Sequence, residues 1–169
     1  MDRLEQLRQV VDQIVRNNPD PEEARCGFVH LYGVSVICTL LALKRGLDPE
    51  LCAAAGMLHD VAYYATGEDQ DHAARSAVEA ARLLSALGSF SADEISAMCA
   101  AIAGHSDKAA TGDGIAEVLT DADILQHYLY NTSLYAANNP ELVSTAKPVK
   151  PGPTQRLKKV IDELGLATE

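Results

Sequence analysis

Apolar residues recur at helical spacing along most of the chain, with polar residues between them. The first run predicts an amphipathic helix that ends near residue 17, and its apolar positions are Leu4, Leu7, Val10, Val11, Ile14 and Val15. Later runs predict helices over 28–45, 48–66, 70–87, 91–105, 115–130 and 154–164. This periodicity is typical of an all-α protein.

Residues that begin and end helices support these boundaries. A helix start is indicated by Asp20, with Pro21 at the first helical position, and by the similar Asp48-Pro49 pair. Ser91 and Glu94 form a predicted capping box, in which each side chain satisfies a free amide of the other residue. The predicted bundle therefore has well-marked helix ends.

The composition agrees with a compact helical bundle of about six to seven helices. The chain has 169 residues, of which 47% are apolar and only 5% aromatic, and this length favours one domain over 1–169. We expect the part that carries the chemistry to cover about 28–130. An irregular segment followed by a short C-terminal helix is predicted over 131–169.

Net charge and cysteine usage exclude several functional classes. A formal charge of −10 makes the chain a poor non-specific binder of nucleic acid polymers or anionic membranes. None of the four cysteines forms a C-x-x-C pair, which favours a reduced, cytoplasmic protein. The N-terminus is charged and unlike a signal peptide, and the longest apolar run, 34–43, is too short to span a bilayer.

One stretch, 51–64, combines a buried helix with two polar side chains. Residues 52–58 are small or apolar, and His59 and Asp60 follow directly. Burying an imidazole and a carboxylate without partners costs several kcal/mol. A metal ion would satisfy both groups, and imidazole with carboxylate suits Mn, Fe, Co, Ni or Zn better than Ca or Mg alone.

The distribution of histidine and aspartate resembles that of the HD-domain superfamily of metal-dependent phosphohydrolases. The resemblance lies in His30, in Gly-Met-Leu-His59-Asp60 at the end of an Ala-rich helix, and in Asp123 within Thr-Asp-Ala-Asp-Ile-Leu. It covers about 28–130. The chain lacks the Gly-Tyr-Pro signature of the cyclic-dinucleotide phosphodiesterase branch, so that activity is not expected.

The resemblance implies a set of metal ligands. His30, His59, Asp60 and Asp123 would be the primary ligands, and His72 and His105 match the further histidines of subgroups that bind two metals. Asp60 would then bridge two divalent transition-metal ions, with Mg as a further candidate.

Structural roles compete with these assignments. His59-Asp60 could merely cap a helix, and His30 could be a satisfied core or surface histidine. His72 could be simple polarity at a helix start, and His105 could cap a helix end, where a cation complements the dipole. Asp121 competes with Asp123 but lies about 200° away around the helix, so both cannot face one site. His127 lies on the same face as Asp123 and is interpreted as a surface or supporting residue, because it matches no ligand of the family.

The expected activity is hydrolysis of a small phosphorylated metabolite, most plausibly a nucleotide, by water activated at the metal. The residues predicted to carry it are His59, Asp60 and Lys108, with Lys108 as a candidate phosphate-binding cation at the mouth of the site. Two alternatives stay open: a di-iron oxygenase of the same superfamily, and a non-catalytic module that senses a nucleotide.

Between residues 142 and 161 there are five cations and no acidic residue: Lys147, Lys150, Arg156, Lys158 and Lys159. This segment is interpreted either as a solvated tail or as a mobile basic flap that meets an anionic substrate or a partner subunit. Homo-oligomer formation, the substrate and the metal are left open by the sequence.

Overall fold

The computed structural model of the protein describes residues 2–112, 114–140 and 152–166. These residues form nine helices and no strand. The helices are α1 (Arg3–Arg16), α2 (Pro21–Arg45), α3 (Pro49–Leu58), α4 (Val61–Thr66), α5 (His72–Leu87), α6 (Ala92–Gly104), α7 (Gly114–Tyr130), α8 (Thr132–Asn138) and α9 (Pro153–Leu164).

The predicted all-α fold is confirmed, but the helices outnumber the six to seven expected from the sequence. The predicted helix over 48–66 is divided at Asp60, whose backbone (φ −119°, ψ 18°) separates α3 from α4. The segment 131–153 was expected to be irregular, yet it contains α8, which Asn131 begins by accepting a hydrogen bond from the Leu134 amide. Residues 141–151 lie outside the described part of the chain.

The start signals predicted at Asp20 and Ser91 are confirmed by side-chain caps, and α2 therefore begins at Pro21 rather than at residue 28 as predicted. The Asp20 carboxylate accepts hydrogen bonds from the amides of Glu22 and Glu23 at the start of α2. Ser91 and Glu94 form the capping box of α6. These caps satisfy amides that the helix itself leaves free, so they fix the residues at which the two helices begin.

Helix α2 is the centre of the bundle and packs against α3 and α7. It contacts α3 closely at Gly56, where an added Cβ would lie 2.8 Å from the Ser35 Cα and 2.9 Å from its amide nitrogen. The Ser35 hydroxyl donates to the Ala53 carbonyl across the same contact. This close approach holds α2 and α3 together next to His30 and His59.

The length and apolarity of α2 would allow it to cross a membrane, although the predicted apolar run within it is shorter. Half of its most apolar window is buried inside the protein, as in the core helix of a bundle. The expectation of no membrane partner stays a prediction.

Helix α9 docks on α7, and its described basic residues are not a solvated tail. Arg156 is 9% exposed and binds Asp121 and Glu117 of α7. Lys159 forms an ion pair with Glu117. Over 152–166, therefore, neither the tail nor the mobile flap describes the segment, while Lys147 and Lys150 lie outside the described residues.

Candidate metal centre

The structure brings all the predicted metal ligands to one end of the bundle. They come from five helices or their ends: His30 from α2, His59 and Asp60 from the turn between α3 and α4, His72 from the start of α5, His105 from the residue after α6, and Asp123 from α7. Overlapping groups of three of these side chains have ligand atoms within 4.8 Å of one another. Their roles as ligands stay a prediction, which the geometry below supports.

Two of the histidines are oriented by the helices they follow. His59 and His105 are the residues directly after α3 and α6, where helix carbonyls lack partners within the helix. Each ring donates its Nδ1–H to the carbonyl three residues earlier, at 2.9 Å to Gly56 and 2.8 Å to Ile102. The Nε2 atom of each ring is therefore left facing the centre with a free lone pair.

The other two histidines repeat this arrangement with different acceptors. His72 donates from Nδ1 to the Asp69 carbonyl at 3.1 Å, and His30 donates to the Gln126 side-chain oxygen at 2.8 Å. A carbonyl oxygen can only accept, so all four rings carry the proton on Nδ1. Histidine ligands of metals are commonly oriented in this way by a partner of the second ring nitrogen.

Asp60 lies between two pairs of histidines. Its Oδ2 atom is 3.5 Å from His30 Nε2 and 3.4 Å from His59 Nε2. Its Oδ1 atom is 3.6 Å from His72 Nε2 and 3.3 Å from His105 Nε2. The two oxygens of one carboxylate thus face different pairs of imidazoles, which is the arrangement that a carboxylate bridging two ions requires.

Asp123 completes the first of these groups. Its Oδ1 atom is 3.5 Å from His30 Nε2 and 3.9 Å from His59 Nε2. Its Oδ2 atom accepts a hydrogen bond from Lys108 Nζ, which also donates to the His105 carbonyl at 2.9 Å. Lys108 therefore contacts the cluster, and its predicted phosphate-binding role stays a prediction.

Two observations show that the cluster fits a cation. Asp60 Oδ1 and Asp123 Oδ1 are buried and, within the described structure, accept no hydrogen bond. The Nε2 atoms of His30 and His59 lie only 3.0 Å apart, although neither carries a proton when both rings are neutral with the proton on Nδ1. Buried acceptors that face one another without a donor are costly, and divalent ions would satisfy all of them.

The electrostatics of the cluster also favour a positive charge. Burial raises the pKa of Asp60, but His59, His105 and His30 outweigh it and hold that pKa far below 3.8. Burial lowers the pKa of His30, but the nearby carboxylates of Asp60 and Asp123 outweigh it and raise the pKa above 6.5. The fully buried His59 behaves oppositely, because desolvation lowers its pKa. In these surroundings the carboxylates stay ionised, and their negative charge favours protonated histidines or metal ions beside them.

A cavity of about 480 Å³ opens onto the ligands. Its lining includes the apolar Val29, the aromatic Tyr63 and Tyr130, and most of the polar cluster. Among the described residues that line it, Lys108 is the one lysine or arginine. The cavity can therefore hold a small molecule that carries both an anionic and an apolar group.

Gln126 was missed from the sequence, and His127, interpreted there as a surface or supporting residue, is exposed and lies beside Asp123. Gln126 orients His30, and His127 Nε2 lies 3.3 Å from Asp123 Oδ1 at the mouth of the cavity, where the side chain is 58% exposed. Both lie three or four residues after Asp123, and that spacing was the available signal. Asp121, the competitor of Asp123, points away from the cavity and binds Arg45 and Arg156.

The fold and the site define an all-α protein with a histidine–aspartate centre suited to metal ions. The HD domain family model matches residues 27–144, which is most of the chain, and the protein therefore belongs to the HD-domain family. No functionally curated protein matches the sequence.

The fold is shared with a solved structure, a predicted HD superfamily hydrolase from an uncultured Thermotogales bacterium. The two are 20% identical with a TM-score of 0.62, and the match covers 96% of this chain and 89% of that protein.

Proposed function

We propose that the protein is a metal-dependent phosphohydrolase that acts on a small phosphorylated metabolite, most plausibly a nucleotide. Membership of the HD-domain family and the fold shared with a predicted HD superfamily hydrolase support a metal-dependent hydrolase in general. The phosphorylated substrate is the finer part of the proposal and rests on the cavity and Lys108.

The observation that carries the proposal is the position of Asp60 between two pairs of Nε2 atoms. His30, His59 and Asp123 would hold one ion together with Asp60 Oδ2, whereas His72 and His105 would hold a second with Oδ1. Divalent ions at these positions would supply an acidified water molecule and neutralise charge on a phosphoryl group. Fewer protein ligands surround the second position, which leaves room there for water or substrate.

The residues around the ions would orient the substrate. Lys108 lines the cavity and would attract a phosphate group to the metals, which is the positioning and charge neutralisation that phosphoryl transfer needs. Tyr63 and Tyr130 also line the cavity, and a planar apolar group such as a nucleobase would pack against their rings.

Metal analysis and phosphate release from a panel of nucleotides and other phosphomonoesters test the proposal. We expect bound transition metal in the purified protein and phosphate release that falls by at least about 100-fold in Asp60→Asn and His59→Ala. A matched pair on α7 tests the geometry: Asp123→Asn should lose metal, whereas Asp121→Asn should keep it, because Asp121 faces away from the cavity.

Two results would overturn the proposal. Activity that is unchanged in Asp60→Asn and His59→Ala would remove the metal mechanism. Oxygen consumption by the iron-loaded protein without phosphate release from any substrate would instead identify a di-iron oxygenase, and nucleotide binding without turnover would identify a sensing module.

A further inference from the structure

The loop that carries Lys108 is hydrogen-bonded to α9 through one arginine. The loop, residues 105–112, connects α6 to α7. Arg156 Nε donates to the Lys108 carbonyl at 3.2 Å, and Nη2 donates to the Ala110 carbonyl. Two donors of a single guanidinium thus hold two carbonyls of the loop, on either side of residue 109.

The same guanidinium is anchored in the protein interior. Arg156 Nη1 donates to Asp121 Oδ1 at 2.7 Å and lies 3.0 Å from Glu117 Oε2. Asp121 is completely buried, and its second oxygen accepts from Arg45 Nη2 at 2.6 Å. Glu117 in turn accepts the amide of Gly112 at 3.1 Å, at the far end of the loop. A buried arginine that is fully paired in this way has little freedom to move.

The contacts continue from the loop into the metal centre. Lys108, whose carbonyl binds Arg156, reaches with Nζ to Asp123 and to the His105 carbonyl. The position of its ammonium group therefore depends on where Arg156 holds its backbone. Helix α9 lies beyond residues 27–144, the part of the chain that matches the family model.

We propose that Arg156 is a positioning residue that fixes the 105–112 loop so that Lys108 can bind the anionic group of the substrate. This inference rests on the proposed function, because it requires Lys108 to bind an anion. Arg156 itself lines no part of the cavity and acts only through the loop.

The planar guanidinium is the property that the arrangement needs. Nε, Nη1 and Nη2 point in fixed, divergent directions and serve four acceptors at once, the two loop carbonyls and the carboxylates of Asp121 and Glu117. A lysine at this position could keep one ion pair with Asp121 but could not hold both loop carbonyls. Arg156→Lys is therefore a conservative variant that retains the buried positive charge and removes the hydrogen bonds to the two loop carbonyls.

Binding of inorganic phosphate to the metal-loaded protein, measured by titration calorimetry, tests the coupling to Lys108. Arg156→Lys should weaken phosphate binding by about tenfold. In a Lys108→Met background, where phosphate binding is already reduced, Arg156→Lys should cause no further loss. An equal loss in both backgrounds would show that Arg156 does not act through Lys108 and would overturn the proposal.

Hydrogen exchange gives a measurement that needs neither substrate nor turnover. The amides of residues 105–112 should exchange faster in Arg156→Lys than in the unmodified protein. Glu163→Gln is the matched control, because Glu163 joins α9 to Arg45 but does not contact the loop. It should leave exchange in the loop unchanged, and thermal unfolding should show that both variants are folded.

The two measurements separate this inference from the proposed function. If hydrogen exchange in the loop is unchanged in Arg156→Lys, Arg156 does not hold the loop in place, whatever the substrate is. Faster loop exchange in Arg156→Lys, in a protein that neither binds phosphate nor hydrolyses phosphoesters, would show that Arg156 holds the loop. It would also overturn the role of Lys108 and the proposed function together.

Discussion

Asp60 is the residue whose two oxygens divide the histidine cluster. Each oxygen faces a different pair of Nε2 atoms, at 3.3–3.6 Å. A carboxylate in this position would be shared by two ions, whereas each histidine would serve only one. Substitutions at Asp60 and at a histidine should therefore affect metal content differently.

Metal stoichiometry tests this difference. We expect Asp60→Asn to lose both ions, because the amide has only one acceptor oxygen and no charge. His72→Ala should lose mainly the ion next to Asp60 Oδ1 and should retain the other. Metal analysis after dialysis measures both outcomes. Equal metal contents in the two variants would contradict the bridging role of Asp60.

At the residue scale, the sequence predicted the cluster but not what orients it. His30, His59, Asp60 and Asp123 could be selected because their pattern resembles that of a known family. The acceptors of Nδ1 could not be selected, since carbonyl oxygens carry no residue-specific signal. Gln126 was missed for a related reason: it is an ordinary helical residue until α2 and α7 pack against each other.

The contact between α2 and α3 is the element-scale feature that positions His30 relative to His59. Gly56→Ala would place a Cβ 2.8 Å from backbone atoms of Ser35, so the helices must separate. We expect a loss of about 1–3 kcal/mol in the free energy of unfolding. Metal affinity should fall as well, because the Gly56 carbonyl orients His59.

Gly104→Ala is the matched control for this prediction. Like Gly56, Gly104 lies near the end of a helix that precedes a predicted histidine ligand, but an added Cβ would meet nothing within 4 Å. The free energy of unfolding of Gly104→Ala should be unchanged or up to about 1 kcal/mol higher, as for any exposed helical glycine replaced by alanine. Denaturant unfolding followed by circular dichroism compares the two variants, and equal losses would refute the steric explanation.

Docking of α9 should weaken in acid because of Glu163. Its hydrogen bond to Arg45 holds the pKa of the Glu163 carboxyl below its ordinary value of 4.5. The stabilisation is present above pH 4.5 and is lost as the pH falls through the lowered pKa. Glu163→Gln should therefore lower the free energy of unfolding by about 1 kcal/mol or less at pH 7 and leave it unchanged in strong acid. Denaturant unfolding at a series of pH values measures this difference. A difference that stays constant with pH would contradict the prediction.

At the element scale, helix starts were predicted well and internal breaks poorly. Asp20 and Ser91 carry local signals that act within a few residues, and both caps are present. The break between α3 and α4 has no glycine or proline to mark it. It occurs at Asp60, whose side chain lies among the four histidines, and such tertiary contacts leave no local signal in the sequence.

For the molecule as a whole, metal ions would offset the strain of a buried polar centre. We expect chelation to lower the melting temperature by about 5–10 °C, which is the shift for a ligand present at roughly 100 times its dissociation constant in a domain of this size. Differential scanning calorimetry with and without a chelator measures it. Asp60→Asn should show no such shift, and a shift of equal size in that variant would mean that metal binds elsewhere.

The sequence separation of the groups that meet in the centre has a kinetic consequence. His30 contacts His59 across 29 residues and Gln126 across 96. Contacts that close such long loops form late, after the local helices, because loop closure costs entropy before the contact repays it. The ions would then enter a chain whose helices have already docked. Refolding followed by stopped-flow circular dichroism should therefore proceed at the same rate with and without metal, while the unfolding rate alone should fall when metal is present.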